Sequence, residues 1–497
     1  MSNPLIALSA VELRRQIGRK QLSPVEVLDA YIDQMQTVNP GVNALCATDF
    51  DRAREAAKAA EAAVMRGDNL GALHGLPIGV KDLTETAGLL TTFGNTAFTH
   101  HVPNIDNTMV ARLKAAGAIV ATKTNTPDMG AGANTRNMVW GATGNPFNPA
   151  LNAGGSSGGS AVALATDMLP LCTGTDVGGS LRIPAAMCGV VGLRASPGMV
   201  PQHSRKLGWN VLNIAGPMAR NVADTALMLS ASMGHDPLDP LAFPSQPNRV
   251  WPLAEIDLSQ LRIGYTADFG CCLVDPMIRR VFADRIKAIS SHVKLCEPVT
   301  LDFGDADRAF DVLRAEGFLA QMGEQYAKDP DALSPNVRAN MEIAQQLTLA
   351  DRAWAHLEQT RLMQTLAKQF ANYDLILSPV TPVTPFPWQT LYADAIDGKA
   401  TRNYYHWLAL TYVITLSTHP ALSLPSGVDD AGMPFGLQLI GPLFQDGRLL
   451  AMAHAMEQAL ATNAALARPL PDLGKLQTDR AQLKSIVTHP PMRAANQ

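Results

Sequence analysis

Two hydrophobic patterns alternate along the chain. In the first, apolar residues recur every three or four positions, as at Val25, Leu28, Ile32 and Met35, and this period predicts an amphipathic helix. In the second, short runs are apolar throughout, as over 76–80, which is typical of a strand buried on both faces. Because the two patterns alternate from one end of the chain to the other, we predict an α/β fold built in layers.

Capping residues mark where the first helices begin. Ser23 is followed by Pro24 at the first helical position and by Glu26 at the third, which makes a capping box. Ser9 and Glu12 form a similar pair. Caps, apolar period and glycine stops together predict helices over 10–18, 24–39, 51–65, 108–116, 161–168, 216–228 (at the surface), 276–289 and 448–459, and mostly helical structure over 306–373.

Apolar runs bounded by glycine, proline or charged residues predict strands. These runs cover 76–80, 118–123, 169–174, 190–195, 261–266, 374–379, 416–425 and 434–440. Ligand sites in open α/β sheets lie at the C-terminal ends of strands, so the first of these strands would deliver Lys81 to such a site. The segment 234–261 is rich in proline and aspartate and is expected to be a long loop.

Composition narrows the class of protein. Of the 497 residues, 47% are apolar and 17% are charged, which fits a large core with a low surface-to-volume ratio. A net charge of −4 argues against nucleic acid as a direct partner. We see no apolar stretch of the length of a membrane span and no signal-peptide pattern in the first ten residues. A cytoplasmic protein that does not act at a membrane is therefore expected.

Cysteine and histidine spacing gives no support for a metal site. The cysteines follow neither zinc-ligand spacing nor a disulfide pattern, and stand at Cys46, Cys172, Cys188, Cys271, Cys272 and Cys296. No cofactor-binding motif is present. We therefore expect free thiols in a reducing compartment, and neither a metal nor a cofactor.

Two glycine–serine clusters, 154–160 (G-G-S-S-G-G-S) and 178–180 (G-G-S), stand on either side of an apolar segment. Glycine allows close approach of the backbone and tolerates positive φ, so the clusters can bring main-chain N–H groups and serine hydroxyls together. Acyl transfer needs that combination: a nucleophilic hydroxyl, a proton acceptor and N–H donors for an oxyanion.

Three motifs in this order resemble the amidase signature family: G-L-P-I-G-V-K-D over 75–82, the cluster 154–160, and T-D-V-G-G-S-L-R-I-P-A over 175–185. The similarity is densest over about 70–217, returns in the N-terminal helices and at 419–441, and thins over about 241–403. It implies one domain over 1–497, with a mixed, twisted sheet covered by helices on both faces and a polar tail over about 469–497.

The resemblance implies a Ser–Ser–Lys hydrolase of carboxylic amides. Ser180 would be the nucleophile, Ser156 (after a cis peptide bond) the proton bridge, and Lys81 the base. The main-chain N–H groups that would hold the oxyanion are those of Val177, Gly178, Gly179 and Ser180. The groups that would support the site are Thr175, Asp176, Arg182 and Ser157, and those that would contact the substrate are Met129 and Gly130.

Each of these residues also has an ordinary structural interpretation. A lysine has a pKa near ~10.4 and is a poor base at neutral pH, unless burial in an apolar strand favours its neutral form. Lys81 could instead form an ion pair with Asp82, and Ser180 could cap a helix. Asp176 and Arg182 could form a salt bridge that only stabilises the loop.

Two other classes of protein compete with this interpretation. Residues 155–159 match G-x-S-x-G, the nucleophile elbow of α/β-hydrolases, with Ser157 as nucleophile and a histidine such as His406, His419 or His454 downstream. No clear strand precedes Gly155, which argues against an elbow. A phosphate-binding loop would need a G-x-x-x-x-G-K-[ST] or dinucleotide-binding motif, and neither cluster has one.

The sequence leaves the substrate open. The family includes simple amidases, aryl acylamidases, peptide amidases, urethane-cleaving enzymes and the A subunit of glutamyl-tRNA amidotransferase, a glutaminase that needs a partner subunit. We expect a small-molecule amide, with esters, anilides and carbamates as further substrates, and a monomer or homodimer. Four aromatic residues in or beside the divergent region could line either the pocket or the core: Trp388, Tyr404, Tyr405 and Trp407.

Overall fold

The computed structural model describes residues 3–491 and contains one mixed eleven-stranded sheet with helices on both of its faces. The helices are α1 Pro4–Ala7, α2 Ala10–Gly18, α3 Pro24–Val42, α4 Phe50–Arg66, α5 Thr108–Ala115, α6 Gly158–Ala165, α7 Arg182–Cys188, α8 Val222–Ser232, α9 Pro276–Ser290, α10 Ala306–Lys328, α11 Pro335–Gln346, α12 Leu349–Gln369, α13 Ala409–Ser417 and α14 Asp446–Ala461.

The strands are β1 Leu45–Thr48, β2 Pro77–Lys81, β3 Ile119–Thr124, β4 Arg136–Asn137, β5 Gly141–Ala142, β6 Leu171–Asp176, β7 Val191–Arg194, β8 Ile214–Ala219, β9 Arg262–Tyr265, β10 Leu295–Pro298, β11 Leu375–Pro379, β12 Ala395–Ile396, β13 Lys399–Ala400, β14 Ala421–Val428 and β15 Pro434–Ile440. The large sheet has the order β1-β3-β2-β6-β8-β7-β14-β15-β11-β9-β10. The strand pairs β4–β5 and β12–β13 form separate small hairpins.

Parallel and antiparallel pairs both occur in the large sheet. Strands β3, β2 and β6 run parallel, as do β11, β9 and β10. The strands between these two groups are antiparallel to their neighbours. Because β2 and β6 are parallel neighbours, their C-terminal ends bring Lys81 and Asp176 to the same edge of the sheet.

The central strands are buried on both faces, which explains their uninterrupted apolar runs. Every residue of β2, β8 and β15 is buried, and so is every residue of α6 and α7. Burying one Val, Leu or Ile side chain contributes about 1.5–3 kcal/mol. The site therefore rests on strands and helices that are buried along their whole length.

Most predicted helices are present, and several begin at the predicted caps. The Ser23 capping box is formed, Ser9 accepts a hydrogen bond from the Glu12 N–H, and Gly67 ends α4 in the left-handed conformation. The predicted end of α3 at 39–40 is wrong, since the helix continues through Pro40 to Val42.

Around residue 216 the sequence interpretation is wrong. The predicted surface helix over 216–228 contains the end of β8, an interior strand, and α8 begins only at Val222 and is largely buried. Asn221 caps α8 by accepting a hydrogen bond from the Asp224 N–H. The Gly216-Pro217 pair resembled a helix start, but Pro217 pairs with Thr173 inside the sheet.

Short elements next to the site were also missed. Helix α7 follows Ser180 directly, and α13 occupies the start of the strand predicted over 416–425, so that β14 begins only at Ala421. The tail is packed up to its last described residues, with Leu476 and Leu483 buried. Residues 492–497, where the predicted polar tail ends, lie outside the described part of the chain. Across residues 3–491, no helix combines the length and the apolar character that crossing a membrane requires.

Candidate active site

Lys81 is the last residue of β2, and its side chain is fully buried. Its Nζ lies 2.7 Å from Ser156 Oγ, 2.9 Å from Ser157 Oγ and 2.9 Å from Thr175 Oγ1. Burial lowers the pKa of Lys81 well below its ordinary value, and the charge of Asp176 opposes this shift only in part. The strand therefore presents an amine that favours its neutral form.

Three hydroxyl partners suit a neutral amine. Such an amine has two N–H donors and one lone pair, whereas a hydroxyl both donates and accepts. Lys81 can therefore donate to two of the hydroxyls and accept a proton from the third. The nearest hydroxyl is that of Ser156.

Ser156 lies in the first glycine–serine cluster and is 2% exposed. The peptide bond between Gly155 and Ser156 is cis, as the resemblance implies. The glycines of this cluster are needed for close packing: a Cβ on Gly159 would lie 2.2 Å from the backbone N of Asn125. Helix α6 begins at Gly158, three residues earlier than predicted, so Ser156 and Ser157 stand at its N-terminal end.

Ser180 lies in the turn between β6 and α7 and is half-buried. Its carbonyl oxygen accepts a hydrogen bond of 3.2 Å from the N–H of Ser157. This bond fastens the Ser180 turn to the segment that carries Ser156. Ser180 does not cap α7, because the N-cap residue is Leu181.

The oxyanion donors need one correction. The N–H of Gly179 already donates to Asp176 Oδ1 at 2.9 Å, so it is not free for a substrate. Within residues 3–491, the N–H groups of Val177, Gly178 and Ser180 donate to no protein acceptor. These three remain as candidate donors.

Asp176 holds the turn that carries Ser180 in place. Its buried Oδ1 lies 3.0 Å from Arg182 Nη2 and 3.2 Å from Arg194 Nη1. The carboxylate also accepts hydrogen bonds from the N–H groups of Gly179 and Leu181. Burial alone would raise the pKa of Asp176, but the two guanidinium groups hold it well below its usual range. The predicted pair of Asp176 and Arg182 is present, and Arg194 is a further member that the sequence analysis missed.

Arg182 ties this turn to elements far away in the sequence. It donates to Thr411 O at 2.9 Å, Thr415 Oγ1 at 2.9 Å and Gln438 Oε1 at 2.7 Å. Thr411 Oγ1 in turn donates to the Gly178 carbonyl at 2.6 Å. No motif near 411 or 438 signals these contacts, which depend on α13 and β15 packing against α7.

Thr175 and Ser157, predicted to support the site, both contact Lys81 directly. Ser157 Oγ also accepts from the Thr175 N–H at 3.4 Å. The lysine is thus held by the first glycine–serine cluster and by the end of β6.

Met129 and Gly130 lie in a loop beside Ser156. A Cβ on Gly130 would be 3.6 Å from Ser156 Oγ, and Met129 packs against an apolar cluster formed with α10 and α11. Asp128 in the same loop accepts from Asn95 Nδ2 at 2.8 Å, and burial raises the pKa of its carboxyl group. The loop therefore lies beside Ser156, and its contact with a substrate stays a prediction.

The four aromatic residues left open by the sequence are all buried. Trp388 packs with Leu483 in a separate small cluster, Trp407 contacts Phe386, and the Tyr405 hydroxyl donates to Asp311. Tyr404 is adjacent to the loop that holds Met129 and Gly130, at 4.0 Å from where a Gly132 Cβ would lie.

The competing interpretations lack the contacts they need. His406 faces Asp307, His419 bonds the Ser417 carbonyl, and His454 faces Glu457, so none of these histidines serves Ser157. Asp82 accepts hydrogen bonds from Thr92 rather than from Lys81. No group of three or more His, Cys, Asp or Glu side chains arranged to hold a metal occurs within residues 3–491.

Known proteins that are similar to this chain in sequence or structure include acylamidases and the A subunit of a glutamyl-tRNA(Gln) amidotransferase. The amidase family model matches residues 26–450. An acylamidase from Rhodococcus erythropolis is 32% identical, covering 90% of this chain and 95% of the relative. The A subunit of a glutamyl-tRNA(Gln) amidotransferase from Acidothermus cellulolyticus is also 32% identical, covering 94% and 98%. A bacterial aryl acylamidase structure superposes with a TM-score of 0.86 at 28% identity, covering 92% of this chain and 97% of that one.

Proposed function

The chain belongs to the amidase family, whose hydrolases act on carbon–nitrogen bonds in amides, and from this premise we propose that it cleaves a carboxylic amide through an acyl-enzyme on Ser180. The observation that carries the proposal is the buried amine of Lys81, 2.7 Å from Ser156 Oγ. A buried amine with a lowered pKa and hydroxyl partners is suited to accept a proton at neutral pH.

In the first half-reaction, Lys81 Nζ accepts the Ser156 hydroxyl proton while Ser156 Oγ accepts that of Ser180. Ser180 Oγ forms a bond to the amide carbon, and the carbonyl electron pair moves onto oxygen. When the carbon–nitrogen bond breaks, Ser156 returns a proton to the leaving nitrogen and is reprotonated by Lys81. General acid–base transfer of this kind contributes about 10²–10⁴-fold in rate.

The negative oxygen formed in this step needs donors in a fixed position. The unengaged N–H groups of Val177, Gly178 and Ser180 are the candidates, and one such donor is worth about 3–4 kcal/mol to the transition state. Asp176 holds the backbone that carries them through Gly179 and Leu181. Water then takes the place of the amine: its oxygen forms a bond to the acyl carbon while its proton passes through Ser156 to Lys81. The bond between that carbon and Ser180 Oγ breaks, the relay returns the proton to Ser180 Oγ, and the carboxylic acid leaves.

The proposal is tested by covalent labelling. The wild-type protein is treated with a fluorophosphonate, digested and analysed by mass spectrometry, and hydrolysis of a panel of simple amides is measured in parallel. We expect the adduct on Ser180, and no adduct and no amide hydrolysis with Ser180→Ala. Lys81→Ala should lower both rates by at least about 10³-fold.

Lys123→Met is the matched control, because Lys123 is also fully buried but does not contact the serines. It should retain labelling at Ser180. An adduct on Ser157 that does not depend on Lys81 would contradict the proposal. So would amide hydrolysis that survives Ser180→Ala.

A second candidate is the glutaminase of a glutamyl-tRNA amidotransferase. The observation that favours it is the 32% identity to the Acidothermus cellulolyticus relative over 94% of this chain. In that case glutamine would be hydrolysed only when a partner subunit is added, and simple amides would be poor substrates. Hydrolysis of simple amides by the purified chain alone favours the first proposal.

A further inference from the structure

A buried arginine without a carboxylate partner lies close to the candidate active site. Arg314 on α10 is 6% exposed. Its Nε donates to Asn340 Oδ1 at 3.0 Å and its Nη2 to the Tyr404 hydroxyl at 2.6 Å. The guanidinium carbon lies 4.9–5.8 Å from the centres of four aromatic rings, those of Phe310, Phe318, Tyr404 and Tyr405.

The missing partner distinguishes Arg314 from the other buried arginines. Arg182 and Arg194 pair with Asp176, and Arg220 pairs with Asp167. Arg314 has no carboxylate oxygen within 4.0 Å among residues 3–491. Its neighbour on the helix, Asp311, forms a salt bridge with Arg402 and accepts a hydrogen bond from the Tyr405 hydroxyl.

A buried charge without a counter-ion is expensive. A guanidinium keeps its proton throughout the physiological pH range, so it cannot avoid the desolvation penalty by becoming neutral. Neutral oxygens and aromatic faces compensate only in part. Such a buried cation is suited to bind an anion that a ligand, and not the protein, supplies.

One aromatic ring separates Arg314 from the oxyanion turn. A Cβ on Gly178 would lie 3.2 Å from the tip of the Phe310 ring, and Phe310 is one helical turn before Arg314. On the other side, Tyr404 lies next to Gly132, in the loop whose Gly130 lies beside Ser156. Arg314 therefore lies between two segments near Ser156, the turn at 177–180 and the loop at 129–132, with one aromatic ring between it and each segment.

The guanidinium also retains one donor for a ligand. Within the described residues Nη1 donates to no protein acceptor, and it is not among the buried nitrogens closed off from solvent. An anion that reaches this face of the guanidinium can accept a hydrogen bond from Nη1. A guanidinium N–H that donates to a carboxylate makes a charge-assisted hydrogen bond, which is shorter and stronger than a bond between neutral groups.

We propose that Arg314 binds an anionic group, a carboxylate above all, carried by the substrate of this enzyme. The substrate class is a small amide with a carboxylate a short chain away from the scissile bond. This inference rests on the proposed amide hydrolysis and adds to it the residue that selects the substrate.

The test compares matched pairs of amides in which only the charge differs. On the acyl side, glutaramate is compared with 5-methylhexanamide, which carries an isopropyl group in place of the carboxylate. On the amine side, N-acetyl-4-aminobutyrate is compared with N-(4-methylpentyl)acetamide. We expect kcat/KM to favour the anionic member of one pair by at least about tenfold, and that pair identifies the side on which the carboxylate lies.

Substitution of Arg314 should remove this preference. Arg314→Met should lower the ratio of anionic to neutral kcat/KM by about 10- to 100-fold, Arg314→Lys should lower it less, and added guanidinium should partly restore it. The control is Arg308→Met on the same helix. Arg308 also stacks on a ring, that of Trp354, but it has a carboxylate partner in Asp351. This control should leave the ratio unchanged.

Binding gives a second measurement that needs no turnover. Calorimetry with glutarate and the Ser180→Ala variant should show binding that weakens at least about tenfold when Arg314→Met is added, with circular dichroism confirming that the double variant is folded. No preference in either pair together with no Arg314-dependent binding would overturn the inference. Arg314-dependent glutarate binding without any Ser180-dependent hydrolysis would instead contradict the proposed reaction and leave the anion site standing.

Discussion

Two fully buried lysines on neighbouring strands have different surroundings. Lys123 on β3 donates to the Thr84 carbonyl and to Thr86 Oγ1, and burial lowers its pKa to about 8 against the opposing charge of Asp82. The Lys81 amine has hydroxyl partners only, and burial lowers its pKa well below the ordinary value. The partners therefore determine which of two equally buried lysines is available as a base.

The pH dependence of the reaction follows from the state of Lys81. Only the neutral amine can accept a proton, so kcat/KM for an uncharged amide should fall as the pH falls through the lowered pKa of Lys81. As the pH rises, kcat/KM should reach its plateau at a pH well below the ordinary lysine pKa of ~10.4. A pH–rate profile between about pH 5 and 10 measures this.

Lys123→Met serves as the control and should leave the midpoint of the profile in place. A rate that rises only near the ordinary lysine pKa would mean that burial does not keep Lys81 neutral. A rate that does not fall at any pH down to the point where the protein unfolds would mean that Lys81 is not the base.

At the scale of elements, the site is a junction between two strand ends and the helices that follow them. Strand β2 brings Lys81, and β6 with α7 brings the Ser180 turn. Gly179 is the residue on which the geometry of the turn depends, because its φ is +119° and a Cβ there would lie 2.2 Å from Thr411 Oγ1. No other residue type fits both the conformation and the space.

Gly179→Ala should therefore displace the turn. We expect loss of Ser180 labelling by a fluorophosphonate and a drop in unfolding free energy of about 2–4 kcal/mol, since both backbone strain and overlap contribute. The measurements are mass spectrometry of the adduct and urea denaturation.

The matched control is Gly398→Ala. Gly398 also has positive φ, +71°, but a Cβ there meets nothing within 4 Å. It should cost about 1 kcal/mol and leave labelling intact. Equal effects of the two substitutions would mean that the space around Gly179 is not limiting.

At the scale of the whole molecule, segments far apart in the described chain share the same core. Strands from both halves share one sheet, with β14 placed between β7 and β15. The last described segment returns to α3, where a Cβ on Gly41 would overlap the Leu476 carbonyl oxygen. Leu483 is fully buried and packs with Trp388. We therefore expect the chain to unfold as one unit.

Leu483→Ala tests this expectation. Removing a fully buried leucine side chain should cost about 2–5 kcal/mol, and the transition should remain single when followed by tryptophan fluorescence and by circular dichroism. Leu470→Ala is the control, because Leu470 is 70% exposed, and it should change stability by less than about 0.5 kcal/mol. Two separate transitions in Leu483→Ala would mean that the C-terminal segment folds independently.

Features that depend on local chemistry could be predicted from the sequence alone. Caps and apolar periods located most helices, as at Ser23 and Gly67, because capping involves residues only a few positions apart. The motifs around Lys81, Ser156 and Ser180 placed the chain in its family. Their spacing along the chain resembles that of the family, so these motifs were enough to name the candidate residues.

Features that depend on residues far apart in the chain emerged only from the folded protein. Such contacts determine the order of the strands and make residues 214–219 a strand. They also determine that the Gly179 N–H donates to Asp176. The roles of Arg194, Gln438 and Arg314 depend on such contacts as well. Arg314 gives no local signal, since a helical arginine is usually a solvent-exposed residue. Its burial and its missing counter-ion exist only once α10, α11 and the 404–405 segment are packed together, because desolvation is a property of the folded surroundings and not of the sequence position.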